Sequence, residues 1–198
     1  MFGSLLKKPD EATDGRSYVY RASLMGPAYR FELTDEGLAW GMGRQSGLWP
    51  YADIASVRLS FRPMGMQRRR FCAEIAHRDG RRLKIFSTSK QTVALMEPQS
   101  GYPGFITALH QRLAEAGSTA SLLAGVRPLT FNLALAALAL VGLAMAGLLI
   151  RALVVGEFAG VAFLVLLGAL FGWQSRNLLH RNRPRSYNFE NVPRDLLS

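Results

Sequence analysis

Few side chains in this sequence could carry covalent or acid–base chemistry, and their spacing keeps them apart. Cys72 is the only thiol, and His77, His110 and His180 are the only imidazoles. No two histidines stand at metal-ligand spacing, and a lone cysteine can build neither an intramolecular disulfide nor a cysteine-based zinc site. The HExxH, GxSxG and phosphate-loop patterns are absent. Glycine-rich GMGRQSG joins two strand-like segments and opens no helix, so it is no nucleotide fingerprint. Glu74 is the one carboxylate inside a strand pattern, on a face shared with Arg70, which predicts a cross-strand ion pair. The residue types therefore predict a protein that is not an enzyme and uses no cofactor and no metal.

What the sequence does offer is positive charge. Its net charge is +10, although only 19% of its residues are charged. In RPMGMQRRRF, Arg62 to Phe71, a proline-glycine turn is followed by Arg68, Arg69 and Arg70. Arg82 and Lys84 share one face of a later strand, and Arg181, Arg183 and Arg185 lie in the C-terminal tail. These eight residues are the candidates for an anionic surface or a partner-binding site, and the open choices are anionic lipid, an acidic protein or plain solvent. Nucleic acid is not expected, because no basic-aromatic stacking array accompanies the charge.

The charge flanks an apolar block. Leu129 to Ile150 carries no charged residue, and about 33 Å of helix would cross a hydrocarbon core of roughly 30 Å. A second apolar run covers Phe158 to Trp173 and can be extended by Val154 and Val155. A transmembrane hairpin over 128–175 is expected, with helices at about 129–150 and 154–174. Arg127 precedes it and Arg176, Arg181, Arg183 and Arg185 follow it, whereas the connecting turn has only Arg151, offset by Glu157. The positive-inside rule then puts both termini in the cytoplasm of an inner-membrane, multi-pass protein. MFGSLLKKPDEATDG does not read as a secretory signal, since its apolar stretch is short and acidic residues follow. Gly156, Gly160, Gly168 and Gly172 recur at four-residue steps, interrupted by Leu164. They are the candidate helix-packing residues, either within the hairpin against Gly142 and Ala146 or as the seam of a homo-oligomer.

Ahead of the hairpin the period of the sequence is two. In IASVRLSFR, Ala55, Val57, Leu59 and Phe61 share one face, the pattern of a half-buried antiparallel strand. YVYRASL, AYRFELT, GLAWGMG, GLWPY, RFCAEIAH and RRLKIFS bring the count to seven, and Asp79-Gly80 marks a tight hairpin turn. Ser87 to Gly101 reads as a loop. YPGFITALHQRLAEAG reads as an amphipathic helix, with Phe105, Leu109 and Leu113 in line and Gly117 as a stop.

LTDEGLAW followed by a short hairpin and PYADIASVRL resembles the bacterial PH-like (pleckstrin-homology-like) domains, over about Ser17 to Gly117. The resemblance implies that Tyr51 and Ile54 pack and that Asp53 caps a turn, as fold residues. It also implies a binding module for lipid or peptide, although the first two strands and their MGP connection lack the basic cluster of phosphoinositide-binding members.

The expected fold class is α+β, mainly β: a seven-stranded antiparallel PH-like sandwich or partly open barrel with a C-terminal amphipathic helix, followed by the two-helix transmembrane hairpin. The expected organisation is a flexible N-terminus (1–16), a cytoplasmic PH-like domain (17–117), a linker (118–127), the hairpin (128–175) and a basic cytoplasmic tail (176–198). In function this is a membrane-anchored, non-enzymatic interaction or scaffold module of a bacterial inner membrane. The alternatives are a sensor of anionic lipid headgroups and a small subunit of a larger membrane complex. Its expected partners are the lipid bilayer, with anionic lipids in the sensor reading, and a protein in the membrane or cytoplasm. The tail sequence SYNFENVPRDLLS, with Tyr187, Phe189, Val192, Leu196 and Leu197, leaves two readings open: disorder, or docking onto the domain.

Overall fold

The structure, a computed structural model, describes residues 15–23, 25–63, 70–90 and 96–197. The chain forms two compact units, one built from residues 1–124 together with 185–198 and the other from 125–184.

The first unit opens with a four-stranded antiparallel meander: β1 (Ser17–Tyr20), β2 (Tyr29–Leu33), β3 (Leu38–Met42) and β4 (Gln45–Trp49). Pro50 and a 3-10 turn at Tyr51–Asp53 break the chain away from β4. A second meander follows, β5 (Ile54–Phe61), β6 (Phe71–His77) and β7 (Arg82–Phe86). The β6–β7 hairpin closes through Arg78–Gly80, with Gly80 at φ 91 and its N–H donating to the His77 carbonyl at 3.0 Å. Glycine at that position relieves the left-handed backbone that a three-residue hairpin loop needs.

Alternation sends Val57, Leu59 and Phe61 of β5 and Phe71, Ala73 and Ile75 of β6 into the core. There they meet Tyr18, Tyr20, Phe31, Leu33, Leu38 and Trp49 of the first sheet. α1 (Gly101–Glu115) closes this core with Tyr102, Phe105, Ile106, Leu109 and Leu113, all fully buried. Its end is a Schellman motif: the Gly117 N–H bonds the Ala114 carbonyl, the Ser118 N–H bonds the Leu113 carbonyl, and Gly117 sits at φ 62.

The expected count of seven strands is corrected. All seven segments are strands, but the described residues hold eleven. β8 (Thr88–Lys90) pairs with β9 (Met96–Pro98) in the stretch expected to be a loop. β10 (Ser121–Ala124) lies within the expected linker and runs parallel to β5, so the second sheet is mixed, not purely antiparallel. β11 (Arg185–Ser186) comes from the tail and pairs with β10. The second sheet therefore has five strands in the order β11-β10-β5-β6-β7.

Among the described residues the two sheets do not close into a barrel, because no ladder joins β1 to β7. Side chains do that work: the Tyr18 and Tyr20 hydroxyls donate to the Phe86 and Lys84 carbonyls, each at 2.6 Å. Those carbonyls point off the free edge of β7, so the tyrosines occupy groups that would otherwise invite another strand.

The second unit is a pair of helices, α2 (Pro128–Val155) and α3 (Phe158–Asn182). At 28 and 25 residues they are about 42 and 37 Å long, and both are long and apolar enough to cross a membrane. Among the described residues, the most apolar stretch of each helix is 0% buried. Gly156, at φ 78, ends α2.

Candidate functional site

The candidate basic residues are dispersed. Arg68 and Arg69 lie outside the described residues. Arg70 is half-buried with its guanidinium 4.0 Å from the centroid of the Phe86 ring, a cation–π contact. Burial lowers its pKa, and the charge of nearby Arg62 adds to that fall. Arg82 and Lys84 are exposed on the outer face of β7, and Arg82 reaches Glu74 at 3.5 Å, so the cross-strand pair at Glu74 joins β6 to β7. Arg185 is committed to the tail's own structure, its Nη2 lying 2.7 Å from each carboxylate oxygen of Asp195. Arg181 and Arg183 belong to the helical unit, at the last turn and the C-cap of α3.

The glycines also part company. Gly156 lies in the α2–α3 turn, outside α3. A Cβ at Gly168 would meet Met145 Cε of α2 at 3.4 Å, whereas one at Gly172 or Gly142 would meet nothing within 4 Å. A Cβ at Gly160 would touch only its neighbour Glu157, at 3.9 Å.

The tail packs into the first unit. The Tyr187 N–H donates to the Leu122 carbonyl at 3.2 Å, and Leu196 and Leu197 are buried in the same core as β5. Beneath this segment lies His110. Its Nδ1 is 2.7 Å from the Ile106 carbonyl, which can only accept, so Nδ1 carries the proton. Nε2 then accepts from the Tyr187 hydroxyl at 2.8 Å. Burial lowers the pKa of His110 and raises that of Tyr187, which favours this neutral pair. A groove of about 500 Å³ opens beside it, between α1 and the tail, with Thr107, Gln111, Phe189 and Arg194 on its walls. The pattern of apolar residues in the tail was the sequence signal for this docking; nothing in the sequence paired His110 with Tyr187.

The segments behind the resemblance are joined in the fold. The Thr34 hydroxyl both donates to the Gly37 carbonyl, at 2.8 Å, and accepts from the Gly37 N–H. A Cβ at Gly37 would overlap the Trp49 carbonyl oxygen. The hydroxyl of buried Tyr51 donates to the Thr34 carbonyl at 2.8 Å, and Ile54 is fully buried. The backbone carbonyl of Asp53 accepts from the Arg78 N–H.

The described residues contain no group of three or more His, Cys, Asp or Glu that could hold a metal ion. Cys72 is buried, and burial pushes its thiol up to about 11, away from the thiolate form. The chain matches no protein-family model, no curated protein and no solved structure.

Proposed function

We propose that the chain is a membrane-anchored, non-enzymatic interaction module, a PH-like domain presented at the cytoplasmic face of a bacterial inner membrane. One observation carries this reading: the two uncovered apolar helices are inserted between β10 and β11, neighbouring strands of one sheet. A chain that leaves and re-enters a folded unit at one sheet edge keeps both feet of its hairpin on that unit's side. The arginines flanking the hairpin, against a tip with Arg151 and Glu157, favour the cytoplasm for that side.

The PH-like assignment rests on the order of elements, two meanders of four and three strands followed by a closing helix, and on the Thr34–Gly37–Tyr51 linkage. The superfold serves many functions, so a binding role follows by analogy.

Cross-linking of the full chain in its own membrane, followed by purification in detergent, tests the reading. A discrete heteromer that survives alkaline washing of the membrane is the expected result. Release of the chain by alkaline washing would refute the anchor, and recovery of the chain alone would refute the partner.

A further inference from the structure

Tyrosine hydroxyls occupy the edge of β7, whereas β4 pairs with β3 alone among the described residues and leaves its other side as an open edge. The hairpin fixes which groups that edge presents. Gly43 and Arg44 form a two-residue loop between the paired residues Met42 and Gln45. In such a hairpin the residues flanking the loop exchange hydrogen bonds, and every second pair along the ladder does the same. Gln45, Gly47 and Trp49 therefore turn their main-chain groups to Met42, Trp40 and Leu38. Ser46 and Leu48 turn theirs outward. Pro50 ends the edge because it has no N–H to offer.

This edge is complementary to itself. Its sequence, QSGLW, is uncharged in a chain of net charge +10, so two copies meet along it without opposing charges of one sign. Antiparallel pairing that sets Ser46 opposite Leu48 of a second copy, and the reverse, uses every outward group of both strands. The two-fold axis then passes through Gly47, which faces its own copy at the closely spaced, non-hydrogen-bonded position. No side chain obstructs that approach. A Cβ at Gly47 would stand 3.0 Å from Trp40 Cζ2, so the Trp40 indole already covers the inner side of this glycine. On the outer side Leu48 is 42% exposed. In the paired arrangement it lies diagonal to Leu48 of the second copy, within reach of a long side chain.

We propose that the β4 edge is the docking site for a second copy of this chain, joined strand to strand so that two four-stranded sheets become one continuous sheet. The inference goes beyond the function proposed above and stands on the first unit alone, whether or not the helices span a membrane. An extended segment of another protein would use the same main-chain groups, but β4 carries no charge to select it and Gly47 no side chain to contact it. Main-chain bonds supply affinity in strand addition, and side chains supply the choice of partner. Here the choice comes from the two-fold register that Ser46, Leu48 and Pro50 impose.

The test is sedimentation equilibrium of the full chain in detergent over a range of concentrations, with two double variants altered at the same positions. Ser46→Lys with Leu48→Lys puts like charges opposite each other in both cross-strand pairs. Ser46→Glu with Leu48→Lys puts opposite charges there. The parent should pass from one chain to two as its concentration rises. The first variant should raise the dissociation constant about tenfold or more, and the second should return it close to the parent value. Both side chains are exposed, so the circular dichroism of the variants should match the parent. A parent that stays a single chain at every concentration, or a dimer that both variants leave intact, would overturn the proposal. So would loss of the dimer in both variants, because the register would then be wrong. A heteromer that only the first variant abolishes, with the parent alone monomeric, would assign the edge to another protein's strand and overturn the pairing of copies.

Discussion

His110 Nε2 and the Tyr187 hydroxyl, 77 positions apart, meet at 2.8 Å and tie the C-terminal tail to α1. The tail is thereby part of the domain's core, and its attachment is coupled to a proton. His110 has a folded pKa below its ordinary 6.5 because burial penalises the imidazolium. Between the two values the unfolded state binds more protons, so stability rises with pH there and falls as pH drops below 6.5. Thermal unfolding of the detergent-solubilised chain across that range should show this slope, and His110→Gln should flatten it. Tyr187→Phe should cost about 1–3 kcal/mol by leaving a buried imidazole nitrogen unsatisfied.

Tail docking depends on apolar burial more than on its ion pair. Leu196 is fully buried in the core, and Leu196→Ala should destabilise the unit by about 2–5 kcal/mol. The Arg185–Asp195 pair is well exposed, with side-chain accessibilities of 39% and 37%, so Arg185→Ala should cost no more than about 1 kcal/mol. Denaturant melts of the two variants beside the parent would reveal the ranking; equal losses would mean that the tail is held by charge.

Three buried tyrosines should respond differently to loss of their hydroxyls. Tyr18→Phe and Tyr20→Phe each strip a donor from an edge carbonyl of β7, at a cost of about 1–2 kcal/mol apiece. The Tyr102 hydroxyl is buried with no hydrogen-bond partner among the described residues. Tyr102→Phe should therefore be neutral or stabilising by up to about 1 kcal/mol. Equilibrium unfolding of the three single variants checks the contrast in sign.

Local pattern made much of this fold legible. The alternation in IASVRLSFR, the Asp79-Gly80 turn and the spacing of Phe105, Leu109 and Leu113 each correspond to an observed element. The apolar runs marked the two long helices, although α3 begins at Phe158 and continues past Trp173 to Asn182, because the largely polar nine residues from Gln174 still form helix. What escaped were elements that exist through long-range pairing. β10 has four residues and β11 two, too short for any period to register; β10 is a strand because β5 offers an edge, and β11 because β10 then offers one. The site was less legible still. Arg70 stood in a run of charge, yet its guanidinium stacks on Phe86 from another strand. The pairing of His110 with Tyr187 depends on a return of the chain that no neighbouring residue announces.

The central claim is that residues before and after the apolar hairpin form one domain on one side of a membrane, with the hairpin tip on the other. Labelling with a membrane-impermeant maleimide tests it most directly, using variants with one added cysteine at Thr119, Glu157 or Arg194 in spheroplasts and in inverted membrane vesicles. The buried native Cys72 should stay silent. The account predicts labelling of Glu157→Cys in spheroplasts alone and of Thr119→Cys and Arg194→Cys in inverted vesicles alone. Labelling of positions 119 and 194 from opposite sides, or of all three from the same side, would contradict it.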